Sequence, residues 1–307
     1  MEERNFTFVE EFVIQGFYDL PNLQGLLFGI FMIIYMSILI GNGLIIVIIK
    51  TDPVLHTPMY FFLGNFSFLE ICYTSVVLPR LLTNLWSQNR NISFMACAVQ
   101  LCFFLILGAT ECFLLVVMAY DRYVAICKPL HYPVIMNQKL CIQLVVGAWL
   151  CGIPVQIGQT YQIFSMPFCG SNKLNHVFCD VIPLLKLTCG DTSLNEIYAF
   201  IVTLLFGMVP FLLIIWSYIN IISTILNFPV GVGRCKAFST CSSHLIVVIL
   251  FFGSASITYL RRKSTYYPGL DKILSLFYTI VTPMFNPLIY GLRNKDVIVG
   301  LKKILSK

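Results

Sequence analysis

Apolar positions along this chain gather into seven long runs, not into the alternating or one-faced patterns of soluble strands and helices. Leu23 to Ile49 contains no charged residue, Pro58 to Leu78 carries only Glu70, and Cys97 to Tyr120 carries only Glu111. Leu140 to Tyr161, Ile197 to Leu226, Ala237 to Leu260 and Ile273 to Leu292 carry no Asp, Glu, Lys or Arg. A helix crosses about 30 Å of hydrocarbon with roughly 20 apolar residues, so each run is long enough to span a membrane. Pro154, Pro210, Pro283 and Pro287 lie inside the runs and predict kinks, which neighbouring helices re-satisfy in lipid. The predicted fold is an all-α membrane protein, a seven-transmembrane helix bundle forming a single domain over 1–307. Its parts are an outer tail at 1–22, the bundle at 23–292 and an inner tail at 293–307.

Composition agrees with lipid as the solvent. Hydrophobic residues make up 58% of the 307 and charged residues 11%, against about a quarter in soluble domains. The net charge of +6 is too small and too dispersed for a nucleic-acid binder. Met1 to Asp19 carries Glu2, Glu3, Glu10 and Glu11 and lacks a basic n-region followed by an apolar core, so the first span is expected to serve as the targeting signal.

An odd number of spans puts the termini on opposite sides. The lysines and arginines favour an outer N-terminus only weakly, because Arg261, Arg262 and Lys263 crowd one outer loop. Two features add to that bias. Asn5-Phe6-Thr7 is a glycosylation sequon, used on the lumenal side. Cys169, Cys179 and Cys189 share the loop between spans four and five, and Cys97 opens span three on the same side. Four cysteines allow three pairings, and disulfides persist in an oxidising compartment, which places that loop outside. Cys72, Cys102, Cys112, Cys127, Cys141, Cys151, Cys235 and Cys241 lie in or just inside the membrane and read as small buried hydrophobes. After span seven, Val297, Ile298, Leu301, Ile304 and Leu305 recur at helical spacing opposite Lys295, Lys302 and Lys303. This stripe predicts a short amphipathic helix on the inner leaflet, its lysines near anionic lipid.

Span three ends in Met118-Ala119-Tyr120-Asp121-Arg122-Tyr123-Val124-Ala125-Ile126-Cys127, and span seven contains Asn286-Pro287-Leu288-Ile289-Tyr290. Lys236-Ala237-Phe238-Ser239-Thr240-Cys241-Ser242-Ser243-His244 opens span six, Leu55-His56-Thr57-Pro58-Met59-Tyr60 precedes span two, and Gly41-Asn42 and Ser217-Tyr218 sit in spans one and five. In this order and at these depths the motifs resemble those of rhodopsin-like, class A G-protein-coupled receptors, and within them the odorant (olfactory) receptors, over nearly the whole chain. Phe252 and Gly291 depart from the Tyr and Ser usual in that family, and the first removes a hydroxyl from span six.

The resemblance implies roles. Asp121 holds Arg122 at rest, and on activation Arg122 moves toward the G protein, Tyr218 and Tyr290; Tyr123, Asn286 and Pro287 belong to the same switch. It implies the disulfides Cys97–Cys179 and Cys169–Cys189, a small volatile odorant as ligand, a heterotrimeric G protein of the stimulatory olfactory type raising cyclic AMP, and a multi-pass place in the plasma membrane. It implies no enzyme and no cofactor, with sodium as an allosteric ion. Other readings weigh less. An opsin needs a lysine in span seven, and an aminergic receptor a carboxylate where Phe103, Phe104 and Leu105 stand. A peptide receptor would want more charge at the bundle mouth. A transporter would show repeats, a channel polar stripes, and an enzyme a converging catalytic set.

Helical geometry outlines the site. At 100° per residue, Phe104, Glu111 and Arg122 share one face of span three, which the charges turn inward. Gly108 opens space beside Phe104. Phe252 and Tyr259 share a face of span six, and Val202, Thr203 and Phe206 stand above Pro210 in span five, together outlining an apolar ligand site with a few hydroxyls. Glu70 and Glu111 fall at matching depth, with Asn286 a little lower. Two readings stand for these acids: protonated and hydrogen-bonded, or holding a sodium ion with Asn286, as in the receptor class the chain resembles.

Overall fold

The computed structural model describes residues 9–87, 89–169, 171–189, 191–227, 232–259, 268–292 and 295–305. Asn5 lies outside them, as do Arg261, Arg262 and Lys263, and the side chains of Cys235, Tyr259, Tyr290, Lys295, Ile304 and Leu305 are likewise not described.

Each apolar run is helical. We label them α1 (Gln24–Thr51), α2 (Pro58–Ser87), α3 (Phe94–Cys127), α4 (Gln138–Phe164), α5 (Ser193–Leu226), α6 (Val232–Tyr259) and α7, which continues through Pro268–Leu276, Phe277–Val281, Thr282–Pro287 and Leu288–Leu292. An eighth helix, α8 (Lys295–Leu305), follows. Leu26, Ile33, Leu150, Leu212, Trp216 and Ile219 stay exposed on the outer faces, as lipid-facing residues must. The chain is thus a seven-transmembrane helix bundle with its N-terminus outside and a short amphipathic helix after span seven.

Local sequence sets the boundaries. Asp52 caps the turn after α1, its carboxylate accepting from the Val54 amide at 3.2 Å, and Pro53 follows it. The Ser93 hydroxyl caps α3 by accepting from the Ala96 amide at 3.2 Å, and Asn137 caps α4 by accepting from Leu140 at 2.9 Å. α2 outruns its apolar stretch by about two and a half turns, passing through Pro79. α5 widens into a π turn at Leu204–Met208 just before Pro210, whose missing N–H leaves the Phe206 carbonyl without its usual partner. π turns at Phe277–Val281 and Leu288–Leu292 flank the prolines of α7 in the same way.

The close approaches explain several glycines. A Cβ on Gly41 would stand 2.9 Å from the Pro287 Cβ, so this glycine lets α1 lie against α7. Gly152 does the same for α4 against Ala109 of α3.

Periodicity missed the outer face. Residues read as a plain tail form β1 (Glu11–Ile14), which pairs antiparallel with β2 (Asn91–Ser93) and parallel with β3 (Lys173–Leu174) in the order β2-β1-β3. Phe12 is fully buried there, 5.1 Å from the Phe168 ring and stacked on Phe94 at 6.1 Å. Lys272 at the head of α7 donates to the Gly16 carbonyl at 2.7 Å, where the chain turns with φ +50°. Cys97 is joined to Cys179 and Cys169 to Cys189, each with Cα atoms 5.7 Å apart. Together these elements roof the bundle.

Two expectations about the membrane faces need correction. Cys151 is not buried but exposed, because it lies on the outward side of α4. Lys303 does not simply face lipid: it donates to Asp52 at 2.8 Å, while Tyr60 donates to Asp296 at 3.1 Å. These contacts hold α8 against the inner ends of α1 and α2, with Val297 buried between them.

Candidate ligand cavity and switch residues

Beneath the roof the helices part around a cavity of about 870 Å³, within the usual size of a small-molecule site. Phe104 and Gly108 of α3, Val202, Thr203 and Phe206 of α5, and Phe252 of α6 all line it, so six residues from three helices border one space. The side chain of Tyr259 is outside the described residues. Gly108 leaves real room: a Cβ there would find the Tyr73 ring, at 3.9 Å, as its nearest neighbour. The Thr203 hydroxyl is already used within α5, donating to the Ala199 carbonyl at 2.9 Å. Phe252 lies against Phe211, ring centroids 5.4 Å apart.

Phe104 shows how the roof and the cavity are joined. Its ring stacks on Tyr73 at 5.4 Å and meets Phe178 of the outer loop at 4.8 Å. Phe178 is fixed by its neighbour Cys179, bonded to Cys97, and the Cys179 amide donates to the Gln100 side chain at 3.1 Å. His176 completes the contact, with Nε2 2.9 Å from the Ser275 hydroxyl of α7 and Nδ1 3.0 Å from the Phe178 carbonyl.

Sequence reasoning missed other walls of the cavity: Tyr73 of α2, Gln156 and Gln159 of α4, His176, Asp180 and Lys186 of the outer loop, and Tyr278 of α7. Loop residues carry no period that could place them. The two glutamines did leave a signal, two amides three residues apart inside an apolar run.

Deeper in the bundle Glu70 and Glu111 are both completely buried. The Asn286 amide donates to Glu70, although counting along the helices sets it lower. Side chains lean toward the N-terminus of their own helix. Glu70, on the outward-running α2, therefore leans inward, and Asn286, on the inward-running α7, leans outward, so they meet. Glu70 Oε2, both oxygens of Glu111, and Asn286 Oδ1 have no hydrogen-bond partner among the described residues. Carboxylate and amide oxygens are hard donors, the type of group that could hold a cation.

At the inner end Arg122 donates through Nε to Asp121 at 3.0 Å and through a second nitrogen to the same oxygen. Tyr132, from the following loop, donates to the other Asp121 oxygen at 2.8 Å. Burial, with the Asp121 charge beside it, pushes the Tyr132 hydroxyl up from its ordinary range and keeps it a donor. Tyr218 is engaged elsewhere, 2.8 Å from His244 Nδ1 of α6. Tyr123 lies on the other side, its ring 5.6 Å from Trp216. Pro287 sits against Gly41, and the Tyr290 side chain is not among those described.

A roofed, ligand-sized cavity above a buried polar cluster, with an Asp-Arg-Tyr motif at the inner end of α3, defines a seven-helix receptor of the rhodopsin-like class. The olfactory receptor family model matches residues 31–307. Human olfactory receptor 10AG1 is 59% identical over 97% of this chain and 99% of its own length. Human olfactory receptors 10A5 and 10C1 are 53% and 52% identical, each over 99% of this chain, covering 96% and 97% of their own lengths. The chain belongs to the olfactory receptor family. It is accordingly an odorant-responsive, G-protein-coupled, multi-pass membrane receptor and not an enzyme.

Proposed function

We propose that this receptor sits in the plasma membrane, takes a small volatile odorant into the 870 Å³ cavity, and in response activates a stimulatory G protein of the olfactory type, raising cyclic AMP. The cavity carries the reading. It is bordered by helices that also carry the inner switch: α3 holds Phe104 and Gly108 above and Arg122 below, and α5 holds Val202 and Phe206 above and Tyr218 below. A ligand that prefers one spacing of α3, α5 and α6 shifts the population toward the state in which Arg122 leaves Asp121. A chemically diverse odorant panel, applied to cells with a cyclic AMP reporter, tests this. Responses should appear for some compounds and vanish when the stimulatory α subunit is deleted. A current persisting without G protein would favour a channel or transporter instead.

The unpartnered oxygens of Glu70, Glu111 and Asn286 support a second part of the reading, a sodium ion favouring the resting state. Glu70→Gln and Glu111→Gln should each remove the sodium sensitivity of the agonist response. Unchanged sodium dependence in both would leave the acids protonated, with Glu70 bonded to Asn286.

A further inference from the structure

Gln156 and Gln159 stand three residues apart on α4, which puts their side chains on adjacent turns of one face. Both line the cavity, and both are almost wholly buried, 3% and 4% exposed. In each amide the oxygen has no hydrogen-bond partner among the described residues. The same cavity is lined by apolar Phe104, Leu105, Ala109, Val202 and Phe206 and, among polar groups, by Thr203, Glu196, Asp180 and Lys186. The α4 backbone holds them firmly, because Gly152, one turn below Gln156, packs directly on Ala109 of α3.

A buried amide oxygen without a donor costs free energy, and a ligand that displaces water from an apolar cavity must supply the donor itself. Aldehydes, ketones, esters and ethers only accept, so they would leave both oxygens unmatched. A hydroxyl donates to one amide oxygen and can accept from the neighbouring amide nitrogen. This holds whichever way each amide is turned, since each carries one acceptor and one NH₂.

We propose that Gln156 and Gln159 form a polar clamp for a neutral hydroxyl, so that the receptor's ligands are mainly apolar alcohols in preference to carbonyl compounds or hydrocarbons of the same skeleton. This rests on the cavity being the odorant site, and the test keeps the two apart. Purified full-length receptor is titrated with matched eight-carbon probes, the straight-chain primary alcohol, the aldehyde, the methyl ether and the alkane, and ligand-dependent thermal stabilisation is read. The alcohol should bind about ten-fold more tightly than the aldehyde or ether, the increment of one added hydrogen bond. Gln156→Met and Gln159→Met, near in size but without an amide, should lower that preference while binding of the alkane stays unchanged, which also shows that the cavity is intact. Equal binding of alcohol and ether, or a preference untouched in both variants, would overturn the clamp and leave the cavity as the site. Binding that survives Gly108→Phe would move the site elsewhere, and no binding of any probe would overturn both.

Discussion

The Tyr218 hydroxyl lies 2.8 Å from His244 Nδ1, and the two rings stack with only 12° between their planes. This pair joins α5 to α6 while Arg122 remains with Asp121. If Tyr218 must be released before it can meet Arg122, the His244 contact stabilises rest. His244→Ala is then expected to raise ligand-independent cyclic AMP, by about five-fold for a hydrogen bond of roughly 1 kcal/mol. A fall in basal signal at equal surface expression would assign the pair to the active state.

Lys303 beside Asp52 holds the Asp52 carboxyl below its ordinary range, helped by the Val54 amide. Because the folded value is the lowered one, the contact is fully present above the ordinary carboxylate range and is lost as pH falls through the lowered value. Through neutral and mildly acid pH, α8 should therefore stay docked. Asp52→Asn should speed amide hydrogen exchange in 295–305, and the exchanged pair Asp52→Lys with Lys303→Asp should slow it again. Failure of the double variant to restore protection would show that the charges do not hold the helix.

Gly41 and Gly108 separate packing from function. A Cβ at Gly41 would come within 2.9 Å of the rigid Pro287 ring, whereas one at Gly108 would meet nothing closer than 3.9 Å. Gly41→Ala should destabilise the bundle by about 1–3 kcal/mol, the cost of overpacking, and Gly108→Ala should leave the melting temperature of purified receptor unchanged. Equal effects would mean that α1 and α7 adjust freely.

The roof offers a further test. Phe12 is fully buried among Phe94, Phe164 and Phe168, and large-to-small changes at such sites cost about 3–5 kcal/mol. Phe12→Ala should release β1, seen as faster hydrogen exchange at residues 11–14 and 173–174. An unchanged exchange pattern would show that the Cys97–Cys179 bond alone sustains the sheet.

Much of this was legible in the chain. Seven apolar runs gave seven helices because in lipid the backbone must satisfy its own hydrogen bonds, and the shared face of α3 buries Phe104 and Glu111 while Arg122 stays partly exposed beside buried Asp121. What escaped depended on partners distant in sequence. β1 has no recognisable strand pattern of its own and exists because the 91–93 and 173–174 segments frame it. Asn286 reaches Glu70 because antiparallel helices lean their side chains toward each other. Lys303 finds Asp52, about 250 residues earlier, where periodicity could see only a basic stripe.

The most direct measurement of the central claim is the dose-response of an identified agonist in Gly108→Phe and Gly108→Ala receptors, matched for surface expression. The added ring enters the 870 Å³ cavity beside Phe104, while the added methyl meets ordinary contact distance. The account predicts loss of the response in Gly108→Phe and its retention in Gly108→Ala. Full potency in Gly108→Phe, with sensitivity moving instead to substitutions on the outer surface of the 165–192 loop, would contradict it.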